Sequence, residues 1–394
     1  MSQIQQLLNK TTRIVAGIMS GTSLDGINVS LVRLSGSGTS LGIEELGFYT
    51  TPYPQHLVEC LLRNSAPETS SVEDISQLNA LLPILYADAV IEALKGAHLS
   101  LSDLDLVGCH GQTVFHIPTP QDCVGFSVRS SLQIGDASVL ANRLNVPVVA
   151  DFRTADMALG GQGAPLVPYL DYVYFTSSTE NRGLLNLGGI GNITVLPANA
   201  TPEQVFAFDT GPANMVIDDL MRRFYGKPYD ENGDVGASGK VNEALLAELL
   251  DDPFFSAPPP KSTGREKYTK HFADGLIANN PHISPEDLVA TATAFTAHSV
   301  LLAYHNIIRP LYTLDVIVAS GGGIHNATLM RMLADVLSPI RVTTANEYNL
   351  DSDAKEAVCF AVLAHEYVNG VPTNLPSVTG ASRPTLLGKL CLSA

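Results

Sequence analysis

What the chain lacks narrows the reading first. It has no excess of positive charge: Lys and Arg total 23 against 39 Asp and Glu, a formal net charge of −16. Such a chain repels nucleic acid and anionic membrane surfaces, so neither is expected as a partner. A phosphate can still be taken by local backbone N–H groups. Cysteine is scarce: Cys60, Cys109, Cys123, Cys359 and Cys391 are an odd number, widely spaced, with no C-x-x-C. That pattern speaks against a disulfide framework or a zinc site and fits free thiols in a reducing compartment. No apolar run approaches the length of a membrane span. The polar start MSQIQQLLNKTTR has no apolar h-region, so no signal peptide is expected. A cytoplasmic location is the resulting expectation. There is no G-x-x-x-x-G-K-[ST], which sets a P-loop aside, and no G-x-S-x-G, which removes the usual serine-hydrolase signal. G-x-G-x-x-G is not completed either, because Thr194 stands where the third glycine belongs.

What is present is enough chain for two cored domains, at 394 residues and 45% hydrophobic. Arg13 to Met19 reads as a strand, SGTSLDG as a tight polar turn, and Ile27 to Leu34 as a returning strand. Ser71 to Leu94 reads as a helix with Ser71 as N-cap, which Pro83 is expected to break or kink. Leu104 to Cys109 is a short strand ending at HGQT, and Val146 to Ala150 another ending at DFR. A similar hairpin recurs roughly 170 residues after the first, which points to a duplicated domain core rather than an array. Its parts are Gly183 to Leu187, the turn GGIGN, and Ile193 to Leu196. Val205 to Phe208, the loop DTGPAN and a helix from Met215 to Phe224 follow. Ser284-Pro285-Glu286-Asp287 opens a helix expected to run to about His305. Leu314 to Ala319 is a strand, SGGGIHN a glycine turn, and Ala327 to Leu337 and Lys355 to Tyr367 are helices. Strands and helices interleave, so the class is α/β. The polar stretch TSSTENR suggests domains at 1–180 and 181–394, with the last helices packing back on the first domain as an alternative.

Five segments could carry chemistry, and each has a plainer reading. The loop Ser20-Gly21-Thr22-Ser23-Leu24-Asp25-Gly26 could cradle a phosphate, or be an ordinary hairpin turn. The same choice holds for Gly188-Gly189-Ile190-Gly191-Asn192. Asp209, in FDTGPAN between a strand and a helix, suits a general base beside a phosphate; it equally suits a helix N-cap. Gly321, Gly322 and Gly323 would let an adenine or ribose lie on bare backbone, or let a helix pack close on a strand. The Gly160 to Pro165 loop reads as a hinge, a substrate-lining loop or a simple connector. His110 and His116 lack neighbouring ligands, so no metal held by the protein is expected. Each signal is weak singly. Their order describes a two-lobed clamp, each lobe supplying one phosphate-binding hairpin with the nucleotide between them.

The stretches GIMSGTSLDG, CHGQT, LQIGDASVLA, VVADFRTADMALGGQGAPLVP, LNLGGIGNIT, FDTGPANMVID, PPPKSTGRE, ASGGGIHN and KEAVCFAVLAH run through nearly the whole chain. In them the sequence resembles the anhydro-N-acetylmuramic acid kinase family of the hexokinase, Hsp70 and actin superfamily. The resemblance implies a two-domain actin-like (ribonuclease H-like) ATPase fold with an interdomain active-site cleft. It implies that 1,6-anhydro-N-acetylmuramic acid, from peptidoglycan turnover, is opened by water and phosphorylated on O6 by ATP with Mg²⁺, giving N-acetylmuramic acid 6-phosphate and ADP. By position, Asp209 is the family's catalytic aspartate and Ser20 to Ile27 its ATP-binding loop. Gly188, Gly189, Asn192 and Gly321 to Gly323 complete the expected nucleotide contacts. Thr113, Arg153 and Glu356 are the expected sugar contacts, and a homodimer is suggested. A levoglucosan-type anhydrosugar kinase shares the motifs. A non-catalytic actin-like regulator is the rival from another class, opposed by the absence of a basic helix-turn-helix.

Overall fold

The structure is a computed structural model that describes residues 3–21, 24–259, 261–264, 267–268 and 270–393. Thr22 and Ser23 of the first glycine-hydroxyl loop lie outside the described residues. So do Pro260, Arg265 and Glu266 of PPPKSTGRE. The chain divides into two compact units, one of residues 1–174 with 354–394, the other of residues 175–353.

In the first unit, β1 (Thr12–Ser20), β2 (Gly26–Ser35) and β3 (Gly42–Pro52) form an antiparallel meander. β4 (Leu106–Cys123) lies parallel to β1 and β6 (Val148–Ala150) parallel to β4, while β5 (Phe126–Ile134) pairs with β4 as a hairpin. A short strand, Lys389–Cys391, closes the edge beyond β6. In the second unit, β7 (Arg182–Leu187), β8 (Ile190–Leu196) and β9 (Phe206–Pro212) repeat the antiparallel meander. β10 (Val316–Ser320) runs parallel to β7, and β11 (Arg341–Thr344) parallel to β10. The spatial orders are β3-β2-β1-β4-β6 and β9-β8-β7-β10-β11. Three antiparallel strands followed by two parallel ones, in the same order twice, is the duplicated actin-like (ribonuclease H-like) architecture.

Apolar alternation gives each sheet two buried faces. In the first unit the helix Val72–Gly96 covers one face with Leu78, Leu82, Tyr86, Val90 and Leu94. By length and composition it is also apolar enough to cross a membrane, but half of that stretch is buried as core. It continues through Pro83 rather than breaking there, with Ser71 capping Asp74 N–H as the sequence indicates. The helix Lys355–Asn369 packs on β1 and β4. At Gly17 on β1 a Cβ would overlap the carbonyl oxygen of Ala357, so only glycine admits this approach. In the second unit the helix Pro285–Ala303 is buried on nearly every side, from Leu288 to Ala303, as its apolar and small residues require. Its Ser284 N-cap accepts from Asp287 N–H.

Two expected boundaries move. β4 does not end at HGQT but runs through it to Cys123, because hairpin pairing with β5 continues the strand past the sheet. Likewise Asp209 to Pro212 belong to β9, and Ile190 to Asn192 to β8, so the second turn shrinks to Gly188 and Gly189. Main-chain ladder bonds outweigh the turn preference of glycine and asparagine there.

Candidate active site

In both units the parallel strands end on the same edge, where loops and polar residues collect. This is the edge at which open α/β sheets bind ligands.

In the first unit the β1 and β4 registers set Ser20 opposite Gln112. Ser20 is buried, and its hydroxyl bonds the Tyr86 hydroxyl at 2.8 Å. Its side chain therefore serves the core rather than a ligand. Leu24, at φ 61°, and Ile27 also bury their side chains. Gly21 has its carbonyl held by Gln112 Nε2 at 3.1 Å, and Asp25 is exposed just before Gly26 and β2.

After β6 the chain turns at Asp151 into Arg153, whose guanidinium is half-buried. Its Nε and Nη2 both point at His110 Nε2, at 3.1 and 2.9 Å, and its Nη1 donates to Gly163 O at 3.0 Å. The Gly160–Gly163 loop is thus tied to Arg153. It is also wrapped around the buried Asp156 carboxylate, which accepts from Gly163 N at 2.8 Å and Thr379 Oγ1 at 2.6 Å. Burial lowers the Arg153 pKa to about 10, against the attraction of Glu356. Glu356 sits in the first turn of the Lys355–Asn369 helix. Its side chain reaches solvent, but crowding by protein raises its pKa, with Lys355 and Arg153 acting against that. Next to it, Lys355 is buried in an ion pair with Asp171 at 2.7 Å. Thr113 is half-buried and accepts from Gln133 Nε2 at 3.0 Å. Glu356 feels the charges of both Arg153 and Asp25.

In the second unit strand register lines up Ser320, Asn186, Asn192 and Asp209 across β10, β7, β8 and β9. Asp209 is therefore a mid-strand residue, and the N-cap position of the following helix, Asn214–Tyr225, is Ala213. That removes the helix-cap reading. Asp209 is instead met by a strap from PPPKSTGRE. Its N–H donates to Lys261 O at 3.3 Å, and Thr263 N–H donates to its Oδ2 at 2.9 Å. Lys261 Nζ lies 4.4 Å from the Phe254 ring centre and donates to Phe254 O at 3.0 Å. Burial lowers its pKa to about 8, opposed by the Asp209 carboxylate.

The glycine turns adjoin this row. Ala213 N–H and Asn214 N–H donate to Gly189 O and Gly188 O, both at 2.9 Å, fastening the start of the helix to the second hairpin. Asn214 Nδ2 bonds Leu187 O at 2.9 Å. Gly321 has φ +83°, and a Cβ there would come 2.6 Å from Asn186 Oδ1. Gly322 and Gly323 continue it as a single 3-10 turn. Backbone is thus accessible at Gly188, Gly189 and Gly322, whereas Gly321 and the buried Gly323 pack against Asn186 and Leu187, the close-packing alternative for those two glycines. Asp218, one helical turn after Asn214, has its pKa raised to about 7 by burial, against Arg222. Among the described residues no three His, Cys, Asp or Glu side chains gather as a metal site.

The expected residues so fall into two sets. Ser20, Gly21, Asp25, Gly26, Thr113, Arg153 and Glu356 share the edge of the first unit; Gly188, Gly189, Asn192, Asp209 and Gly321 to Gly323 share that of the second. Sequence reasoning did not single out His110 as a partner of Arg153, Gln112, Asn186, Asn214, Lys261 or Thr263. The registers and the strap that bring these to the site carry no local sequence signal, although PPPKSTGRE stood out as a stretch.

The model of the family "Anhydro-N-acetylmuramic acid kinase" matches residues 13–393. The anhydro-N-acetylmuramic acid kinase of Salinibacter ruber is 52% identical over 99% of this chain and 99% of its own. That of Caldanaerobacter subterraneus subsp. tengcongensis is 46% identical over 100% of both, and one from Bacillus cereus 42% identical over 95% and 98%. Solved structures overlap loosely: component A of the Acidaminococcus fermentans (R)-2-hydroxyglutaryl-CoA dehydratase matches with 11% identity and a TM-score of 0.46, covering 91% of this chain and 100% of that one. The match therefore extends from β1 to the last strand at an identity no shared architecture alone would produce, and the chain belongs to the anhydro-N-acetylmuramic acid kinase family as an enzyme of the kinase class.

Proposed function

We propose that this kinase uses ATP to convert 1,6-anhydro-N-acetylmuramic acid, with water, into N-acetylmuramic acid 6-phosphate and ADP, in peptidoglycan recycling. The substrate is the one in the names of its full-length relatives. The observation that carries the chemistry is Asp209, strand-held, strapped by Thr263 N–H, and set in a row with Asn192 beside the accessible Gly188–Gly189 turn.

In this reading Asp209 accepts a proton from water as the water oxygen bonds to the anomeric carbon. The C1–O6 bond breaks, and its electron pair goes to O6. O6 then attacks the γ-phosphorus, the bond to the bridging oxygen breaks, and ADP leaves. Thr263 N–H holds one carboxylate oxygen, which fixes the direction in which the base presents itself. Arg153, Glu356 and Thr113 bind the sugar. The backbone of Ser20 to Ile27, with Gly188, Gly189 and Asn192, takes the phosphates, and Gly321 to Gly323 the adenosine. Mg²⁺ arriving with ATP would supply charge neutralisation across the phosphates; such ions are held largely by phosphate oxygens, water and one or two carboxylates. Asp25, exposed in the phosphate loop, fits that modest demand.

The test is ADP release with ATP and Mg²⁺, offering anhydro-N-acetylmuramic acid and levoglucosan in parallel. Turnover of the muramic sugar is expected. Preference for levoglucosan would keep the chemistry and change the pathway, and no turnover of either would overturn the proposal.

A further inference from the structure

His110 has a role that the reaction above does not use. It is 3% exposed, its ring lies tilted against Phe360 with ring centres 4.7 Å apart, and both ring nitrogens have partners. Nδ1 lies 2.7 Å from Gly111 O, which can only accept, so Nδ1 carries the proton. Nε2 faces two guanidinium donors of Arg153, Nε at 3.1 Å and Nη2 at 2.9 Å, so Nε2 is the acceptor. The ring is therefore neutral. Burial first, and then the adjacent Arg153 charge, act in that direction, pushing its pKa to about 3 against backbone hydrogen bonds with Gly111 and Ser20.

The consequence lies in Arg153. A guanidinium has five N–H donors in one plane. His110 takes the Nε–Nη2 edge, and Gly163 O takes one hydrogen of Nη1 at 3.0 Å. Gly163 packs beside the Arg153 stem, where a Cβ on it would come 3.2 Å from Arg153 Cβ, so its oxygen meets the stem-side hydrogen of Nη1; one hydrogen on Nη1 and one on Nη2 remain, side by side at the tip. That pair is the fork that binds two oxygens at once, as in a carboxylate or a vicinal diol. Without the His110 contact the guanidinium would be held only through Nη1 by Gly163 O, and the direction of the fork would be less closely fixed.

We infer that His110 is a positioning residue that turns the end-on fork of Arg153 toward paired oxygens of the sugar. This rests on Arg153 being a sugar contact, as proposed above. The plainer alternative, a histidine that only fills the core, predicts different behaviour from its variants. Gln can place its amide oxygen near the Nε2 position, Asn reaches only as far as Nδ1, and Met fills volume with no comparable acceptor.

The experiment measures KM for the anhydro sugar and for ATP in wild type, H110Q, H110N, H110M, R153A and the H110M/R153A double variant, with thermal melts on each. H110M is expected to raise the sugar KM about 10- to 100-fold, the scale of one lost charged hydrogen bond. The ATP KM should change far less. H110Q should recover most of the loss and H110N little of it. H110M should add almost nothing once Arg153 is Ala. If R153A raises the sugar KM while H110M does not, or if the two losses multiply in the double variant, the inference on His110 is overturned and the role of Arg153 stands. If R153A leaves the sugar KM unchanged, both fall together. Should H110M fail to fold, H110Q against H110N decides: equal recovery by both would also overturn it.

Discussion

The two units use one strand order to opposite ends. In the first, the polar residues on the strand ends are turned inward: Ser20 bonds Tyr86 within the core and Gln112 holds the Gly21 carbonyl. Its charged groups, Arg153 and Glu356, come from a loop and a helix start, and Arg153 is hydrogen-bonded to His110. In the second, the row Ser320, Asn186, Asn192 and Asp209 lies on the strands themselves, and Asp209 is the acid. On the function proposed above, a duplicated scaffold presents binding groups from its loops in one copy and a reactive group from its ladder in the other. Strand placement suits a base, whose position must be held closely; loop placement suits ligand contacts.

The comparison breaks most sharply at Asp209. The D209N variant should lose roughly 10²- to 10⁴-fold in kcat, the typical share of a general base, with an unchanged melting temperature. Steady-state ADP release and a thermal melt check both. At the buried ion pair of the first unit the expected damage is to stability. K355M leaves Asp171 without its buried counter-ion and should cost about 3–5 kcal/mol, read by urea unfolding. Acid should also act through this unit. His110 and His365 are lowered by burial from 6.5 to about 3 and about 4. Below pH 6.5 the unfolded chain takes up their protons while the folded one does not, so stability falls as pH drops from 6.5 toward 4. Each contributes at most about 1.4 kcal/mol per pH unit, and H110Q should flatten the slope. The smallest effect belongs to Tyr86. Y86F leaves Ser20 short of one bond, at about 0.5–1.5 kcal/mol, with kcat nearly intact if only the Ser20 backbone serves the phosphate. A large fall in kcat would show that the inward row matters to the chemistry after all.

Much of this was legible beforehand. Ser71 with Asp74, and Ser284 with Asp287, announced helix starts through capping geometry that involves only neighbouring residues. The apolar alternation from Arg13 to Leu34 announced a hairpin, observed as β1 and β2. Asp209 was picked out, but its setting was misjudged: the residues around it read as loop and lie in β9, because pairing with β8 is a long-range event. β3 and β5 were not anticipated. β3 is mostly half-exposed along its length, and β5 exposes Phe126 and Val128, so neither shows a buried periodicity.

Local chemistry in the sequence therefore determined the helix starts, the paired hairpins, the α/β class, the candidate acid and, through long shared motifs, the family. Capping, alternation and glycine content act over a few residues and are written where they act. Only the tertiary structure decided which groups meet: His110 with Arg153 across 43 positions, and Asp209 with Thr263 across 54. It also decided that the Ser20 hydroxyl turns to Tyr86 rather than outward. Those pairings depend on strand register and on the path of a strap, which arise from the packing of whole sheets and helices rather than from any neighbouring residue.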